Sequence, residues 1–157
     1  MNIQNIPQPR LDECFQVEVS VDAPVVVGKD NIHGLRRIVP ITSGIITGKL
    51  KGSVIPGGID AQVIRPSGFT ELSARFGIKL DDGTSAYIEN NGIRRVHPEY
   101  AADAAAGRIV DPEYVYFATV PKFEVYDESL RWLEQSVFIC YGARLPDKVL
   151  LRYYQIV

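Results

Sequence analysis

Apolar and polar residues alternate along much of the chain, and short turn motifs interrupt the alternation at close intervals. In residues 15–21 and again in residues 72–80, every second residue is apolar. Successive side chains of a β-strand point to opposite faces, so a period of two predicts strands with one buried face. About eight or nine such segments can be counted, with turn motifs that favour antiparallel pairing. Since so many strands would leave exposed edges in an open sheet, we predict a mainly β fold: a single antiparallel β-barrel or a strongly curved sandwich.

Two segments have helical character instead. Pro98 is compatible with a first helical turn, the alanine-rich stretch to Ala106 favours a helix, and Gly107 indicates its end. A shorter helix is predicted from about residue 127 or 129 to Glu134, with apolar residues available for packing. We therefore expect one or two short helices at the ends of the barrel.

One hairpin can be assigned in detail. The sequence Asp-Asp-Gly at 81–83 predicts a three-residue loop with the glycine in the left-handed region. The resulting register places Phe76 opposite Ile88, Ile78 opposite Ala86, Lys79 opposite Ser85, Gly77 opposite Tyr87 and Arg75 opposite Glu89. An arginine beside a glutamate and an aromatic ring over a glycine are favourable cross-strand pairs. The register leaves open which face points into the barrel.

Size and charge restrict the classes of partner. The 157 residues suit a single domain spanning 1–157, of which 1–10 are expected to form a loosely ordered N-terminal segment. A net charge of −2 gives no basic surface for nucleic acid. No apolar run approaches the roughly 20 residues that span a bilayer, and the N-terminus lacks the features of a signal peptide. We therefore expect a cytoplasmic protein with no membrane or nucleic-acid partner, and homo-oligomerisation stays open.

Metal and cofactor chemistry has little support in the sequence. Cys14 and Cys140 each lie in a strand-like segment and are expected to be buried thiols. His33 and His97 are the only histidines, and surface or capping roles are expected for them. The glycines at 44, 48 and 52 do not have the spacing of a phosphate-binding loop, and they indicate a bend or a close neighbouring chain. We expect neither a metal nor a cofactor.

Asp60 is the most interesting carboxylate of the chain. It follows Gly57 and Gly58 and shares a strand face with Gln62. One interpretation is that Asp60 hydrogen-bonds the backbone of the preceding turn. The other is a carboxylate inside a partly apolar barrel, where desolvation raises its pKa towards values useful for proton transfer.

Arginines and aromatic residues supply further candidates. Arg36 and Arg37 are consecutive, so one of them must point inwards if their segment is a barrel strand, unless both lie solvated at the rim. An inward arginine needs a carboxylate or an anionic ligand. The Arg75–Glu89 pair orients a ligand if it faces the cavity and is a solvated surface pair otherwise. Tyrosines facing a cavity would suit a flat organic ligand, although most aromatic residues must belong to the barrel wall.

The order of these segments resembles one family, the small bacterial and fungal proteins called "domain of unknown function 3237". The resemblance extends from Phe15 to Tyr153 and is strongest in residues 34–41, Gly44, Gly48, 52–62, 71–75, 81–83, 91–92, 116–119, 121–124 and 132–133. It implies a compact, lipocalin-like β-barrel with an interior of ligand size, and it places Asp60 in the family's most distinctive segment. Ala61 stands where the family often has tryptophan, which implies a larger pocket at that point.

These observations lead to two main functional hypotheses. The first is a cofactor-independent enzyme of isomerase, cyclase or lyase type, which acts by acid–base catalysis on a small, largely apolar or aromatic molecule in the barrel. The second is a carrier that binds such a molecule without turnover, and a purely structural partner protein is a third. For the enzyme, the predicted catalytic residues are Asp60, Tyr87, Arg36 and Arg37, and the predicted substrate-binding residues are Gln62, Arg75, Glu89, Tyr116, Trp132 and Tyr141.

Overall fold

The alternating segments form the strands of one antiparallel sheet. The computed structural model describes residues 1–157 and contains ten strands. They are β1 (Leu11–Val21), β2 (Val25–Asp30), β3 (Gly34–Gly48), β4 (Gly52–Val54), β5 (Gly58–Ile64), β6 (Thr70–Leu80), β7 (Ser85–Val96), β8 (Val115–Val125), β9 (Phe138–Arg144) and β10 (Lys148–Ile156).

The sheet closes into a barrel through β1, which pairs with β10 on one side and with β3 on the other. Around the barrel the order is β1, β10, β9, β8, β7, β6, then β4 and β5 together, then β3. The strands β4 and β5 share one position because each pairs with both β3 and β6. The predicted antiparallel barrel is thus confirmed, with eight strand positions, and β2 pairs only with β3 at the margin.

The predicted hairpin register between β6 and β7 is also confirmed. Arg75 lies opposite Glu89 and Gly77 lies opposite Tyr87, as the loop length required. Gly83 has a φ of 91°, in the left-handed region that glycine adopts without strain. The local turn chemistry is therefore sufficient to determine the pairing of two strands.

Apolar side chains on the inner face form a single core cluster of 22 buried residues. Ile78 and Ile88 are completely buried, and Phe15 stacks on Tyr153 with 4.5 Å between ring centroids. Close packing of the wall explains the spaced glycines. A Cβ added at Gly44 would lie 2.6 Å from the carbonyl oxygen of Glu18, so the predicted close neighbouring chain is present.

Short helices lie at the N-terminus and at both ends of β8. They are α1 (Ala101–Ala105) and 3₁₀ turns at Ile3–Asn5, Pro98–Tyr100, Pro112–Tyr114 and Glu128–Leu133. Both helix predictions fall on these elements, although the second is a 3₁₀ helix and only five residues of the first are α-helical. The helices are all too short, or too polar, to cross a membrane.

The cysteines and histidines singled out in the sequence have structural surroundings of the expected kind. Cys14 and Cys140 are buried free thiols. His33 is exposed and pairs with Asp30 at 2.6 Å. His97 caps the turn that follows it by accepting a hydrogen bond from the backbone of Glu99. Residues 1–10 are exposed.

Candidate functional site

A cavity lies inside the barrel and has a largely apolar wall. Its volume, counted as the space in which a water molecule can be centred, is about 40 Å³. Alternate residues of the strands form the apolar part of the wall, which consists of Val19, Val21, Val39, Ile41, Leu72, Ala74, Phe76, Phe117, Val149 and Leu151. The polar part consists of Asp60, Gln62, Asn90, Arg94, Thr119 and Arg144.

Two hydrogen bonds fix the Asp60 carboxylate on this wall. The backbone N–H of Ser73 on β6 donates to Oδ1 at 2.9 Å, and Gln62 Nε2 donates to Oδ2 at 2.6 Å. Pairing between β5 and β6 is interrupted after Asp60–Ala74, and the carboxylate takes the Ser73 N–H at that interruption. Asp60 therefore braces two strands, whereas the interpretation that it binds the preceding turn is not what the structure shows.

Gln62 connects this carboxylate to Arg37. Arg37 Nε donates to Gln62 Oε1 at 2.8 Å. A guanidinium group can only donate, so the carbonyl end of the Gln62 amide must face Arg37 and its NH₂ end must face Asp60. The chain of hydrogen bonds thus has one direction and orients the buried Gln62 side chain.

Burial raises the pKa of Asp60 above its usual value of 3.8. The hydrogen bonds from Gln62 and Ser73 and the positive charges of Arg144 and Arg37 favour the ionised form and oppose this change. The net rise shows that desolvation of the carboxylate outweighs its partners. A carboxyl group with a raised pKa is better suited to exchange protons near neutral pH than an ordinary aspartate.

Three guanidinium groups gather where the cavity opens. Arg94 and Arg144 line both the cavity and the space outside it, and Arg37 lines that outer space. None of the three forms a salt bridge. Burial, together with the charges of Arg37 and Arg144, lowers the pKa of Arg94 to about 10. Asp60 is the only acidic residue in either lining, so positive charge is in excess.

The outer space is a vestibule with a volume of about 310 Å³ by the same measure. Its walls come from the ends of the strands and from the segment between β7 and β8, including Ala104, Ala105, Ile109 and Val110. Because Arg94 and Arg144 line both spaces, the three arginines lie where the vestibule borders the apolar cavity.

Several buried polar atoms at the cavity have no hydrogen-bond partner. They are Asn90 Oδ1, Thr119 Oγ1 and Arg94 Nε, and the side chains of Asn90 and Thr119 line the cavity although both residues are only 3% exposed. Native proteins satisfy nearly all buried polar atoms, so these three are unusual, and the Thr119 and Asn90 side chains lie beside the Cys140 thiol.

The structure brings together some of the predicted site residues. Asp60 and Gln62 line the cavity, and Arg37 is the inward member of the arginine pair, while Arg36 is exposed. The Ala61 side chain lies on the opposite face of β5 from Asp60 and Gln62 and does not line the cavity. Alanine in place of the tryptophan that the family often has therefore does not enlarge the cavity.

The other predicted residues lie away from the cavity. The Arg75 and Glu89 side chains are each 41% exposed on the outer face of the barrel, and Tyr87 shares that face. The reason is that Phe76, Ile78, Ala86 and Ile88 make the opposite face the apolar one, and the apolar face is buried. The three aromatic candidates also lie outside the cavity lining. Tyr116 packs against Arg95, Tyr141 against Tyr154, and Trp132 against Phe138.

Sequence reasoning missed four polar residues that line the cavity. Asn90 and Arg94 on β7, Thr119 on β8 and Arg144 on β9 each share the inner face of an otherwise apolar strand. Their sequence signal is a polar residue at an apolar position of the period-two pattern, as Asn90 is two residues after Ile88. That signal becomes useful only when the inner face of each strand is known.

The chain is similar to proteins of known sequence and structure over nearly its whole length. A UPF0311 protein of Clostridium acetobutylicum is 46% identical over 157 residues, which cover 99% of each chain. A crystal structure of a protein of unknown function from the same species superposes with a TM-score of 0.91, at 46% identity and with 98% and 100% of the two chains covered. Both similarities concern the whole barrel.

A more distant structural neighbour is an enzyme from Penicillium herquei. The two proteins are 18% identical in sequence and superpose with a TM-score of 0.72, and the superposition covers 98% of each chain. This similarity shows a shared fold. The sequence profile of the family described as "Protein of unknown function (DUF3237)" matches residues 9–156. The chain therefore belongs to the DUF3237 family, as its resemblance had implied.

Proposed function

We propose that the protein is a cofactor-independent enzyme that transfers protons to and from a small organic molecule bound in the barrel. Asp60 is the proton-transfer group. The reaction is of isomerase, cyclase or lyase type, since these reactions need only the movement of protons and electron pairs within the substrate. The proposal refines the sequence-based hypothesis and keeps Asp60, Gln62 and Arg37 from its residues.

The observation that carries the proposal is a carboxyl group of raised pKa, held at a fixed point on the wall of an apolar cavity. Acid–base catalysis benefits from both features, because a raised pKa moves a carboxyl group towards the working pH and the group must lie within hydrogen-bond reach of the reacting proton. A carboxylate fixed by two strands meets the second requirement better than one on a mobile loop.

The neighbouring cations complete the proposed chemistry. When Asp60 removes a proton from the substrate, negative charge develops on the substrate, and Arg94 and Arg144 would stabilise it in a site with little water. Protonated Asp60 then returns the proton to another atom of the substrate, so no external reactant is consumed. Tyr87 has no part in this step because its side chain lies on the outer face of the barrel.

Two further observations bear on the choice between enzyme and carrier. The neighbour from Penicillium herquei is an enzyme, so this fold is compatible with catalysis. The predominance of apolar residues in the cavity wall would equally suit a carrier that retains its ligand unchanged. The raised pKa of Asp60 favours the enzyme, because carboxyl groups with perturbed pKa values in cavities are concentrated at catalytic sites.

Native mass spectrometry of gently purified protein, followed by incubation of the bound molecule in D₂O, tests the proposal. We expect the molecule to be transformed or to gain deuterium. Replacing Asp60 with Asn should slow this by about 10²–10⁴-fold, the usual contribution of a general base. The matched control is Asp12→Asn, because Asp12 is an exposed aspartate on β1 outside the cavity lining.

A folded Asp60→Asn protein with normal turnover would refute the role of Asp60. A molecule that stays bound, chemically unchanged and free of deuterium, would instead identify a carrier. Far-UV circular dichroism of each variant separates these outcomes from a loss of folding.

A further inference from the structure

We propose that the molecule bound in the barrel is a small organic acid, whose carboxylate contacts Arg94 and Arg144 and whose apolar body lies against the cavity wall. This inference rests on the proposed function for the place where the substrate binds, and it adds the chemical class of that substrate.

The first argument is the balance of charge. Burial lowers the pKa of Arg37, Arg94 and Arg144, neighbouring arginines lower the pKa of Arg94 and Arg144 further, and none of the three has a carboxylate partner within salt-bridge distance. Asp60 offers only one negative charge, and both of its oxygens already accept hydrogen bonds from Ser73 and Gln62. Burying unpaired cations is unfavourable, so an anionic ligand would stabilise this group.

The second argument is independent of charge and concerns buried hydrogen-bonding atoms. Arg94 Nε, Thr119 Oγ1 and Asn90 Oδ1 have no partner in the protein, and Asn90 and Thr119 line the cavity. The first two can donate to carboxylate oxygens, while Asn90 Oδ1 accepts and can pair with a hydroxyl group of the ligand. These residues line the cavity and carry hydrogen-bonding groups that would suit an acid with an additional donor.

The cavity wall selects among anions. Ten of the sixteen lining residues are hydrophobic, so an inorganic anion would leave this surface unused. The planar guanidinium group matches the geometry of a carboxylate, with two parallel hydrogen bonds. The arginines stand at the junction of cavity and vestibule, so the acid group binds there and carbon atoms extend to either side.

Isothermal titration calorimetry with matched acids and amides tests the inference. The probes are isobutyrate, cyclohexanecarboxylate and benzoate, each compared with its primary amide, which has nearly the same shape and no charge. We expect at least one acid to bind, and to bind more tightly than its amide by about 10-fold or more. Arg94→Gln and Arg144→Gln should each reduce that preference.

The chain provides a closely matched control. Arg95 is adjacent to Arg94 on β7, but its side chain lies over the Tyr116 ring at 5.6 Å on the outer face, so Arg95→Gln should keep the preference. Binding of no acid, equal binding of acids and amides, or an unchanged preference in both cavity variants would overturn the inference.

Asp60→Asn separates this inference from the proposed function. Removing the carboxylate takes a negative charge away from the site, so the acid should bind at least as tightly while turnover is lost. Acid selectivity without any Asp60-dependent proton transfer would refute the proposed function alone. Asp60-dependent turnover of a neutral substrate, with no selectivity for acids, would refute the organic-acid inference alone.

Discussion

Asp60 illustrates how competing interactions set the chemistry of one side chain. Burial in the wall disfavours its ionised form, while two hydrogen-bond donors and two nearby arginines favour it. Because burial dominates, ionising Asp60 costs more in the folded protein than in the unfolded chain. The proposed proton-transfer group therefore also lowers the stability of the folded protein when it is ionised, and such a cost is common at functional sites.

This trade predicts how stability depends on pH. Between 3.8 and the raised pKa of Asp60, the folded protein binds a proton that the unfolded chain has released, so stability falls as the pH rises through this interval. Asp60→Asn removes the effect. The free energy of unfolding is measured by urea denaturation. The difference between variant and parent should shift in favour of the variant as the pH rises through that interval, by at most about 1.4 kcal/mol per pH unit.

The control for this measurement is Asp12→Asn, which makes the same change of charge at an exposed position of β1. It should show no comparable trend over the same pH values. A difference between Asp60→Asn and the parent that stays constant with pH would contradict the raised pKa.

In the strands, glycines determine the shape of the cavity as much as the side chains that line it. Gly142 on β9 faces the ring of Phe117 on β8, and a Cβ at this position would lie 2.8 Å from two ring atoms. Real Cβ atoms do not approach other atoms so closely. The absence of a side chain at Gly142 therefore gives Phe117 its place in the cavity wall.

Gly142→Ala should displace the Phe117 ring and alter the cavity. We expect a loss of about 1–3 kcal/mol in the free energy of unfolding, which is typical of overpacking, and weaker binding of the proposed organic-acid ligand. Chemical denaturation and calorimetry measure the two effects. The double variant with Phe117→Leu provides space for the added methyl group and should regain part of the lost stability, and an unaltered single variant would contradict the role assigned to Gly142.

The β6–β7 hairpin shows which features of the structure can be predicted from the sequence. Its register follows from the loop residues, which are neighbours along the chain, and this prediction was correct to the residue. The residues of the site could be predicted only in part. Asp60 and Gln62 lie close together on one strand, whereas Arg94, Thr119 and Arg144 lie on three different strands and meet through long-range pairing. The assignment of Arg75, Glu89 and Tyr87 failed because pairing alone does not identify the buried face.

In the molecule as a whole, stability should be distributed unevenly between the closed barrel and its margin. All six residues of β2 are exposed, and the strand pairs only with β3. By contrast, β7 pairs with β6 and β8 along its length, and Ala86, Ile88 and Asn90 on it are buried. Elements with few buried contacts open locally at a lower free energy than the core.

Hydrogen exchange followed by mass spectrometry measures this difference. Backbone amides of Val25–Asp30 should exchange at least about 10-fold faster than those of Ser85–Asn90 in β7. Equal protection of the two segments in the protein at low concentration would show that β2 is held by contacts beyond its pairing with β3. Protection of β2 that increases with protein concentration would indicate association of chains through this free edge.

The segment between β7 and β8 has a consequence for the evolution of such barrels. Its two ends are joined by the hydrogen bond from the His97 N–H to the Tyr114 carbonyl, and the ring of Tyr100 stacks on Tyr114 at 4.4 Å. It supplies one wall of the vestibule and none of the residues around the inner cavity. The length and sequence of this segment can therefore vary without altering the Asp60 carboxylate and its hydrogen bonds, and under the proposed function such variation would change which molecules enter the barrel.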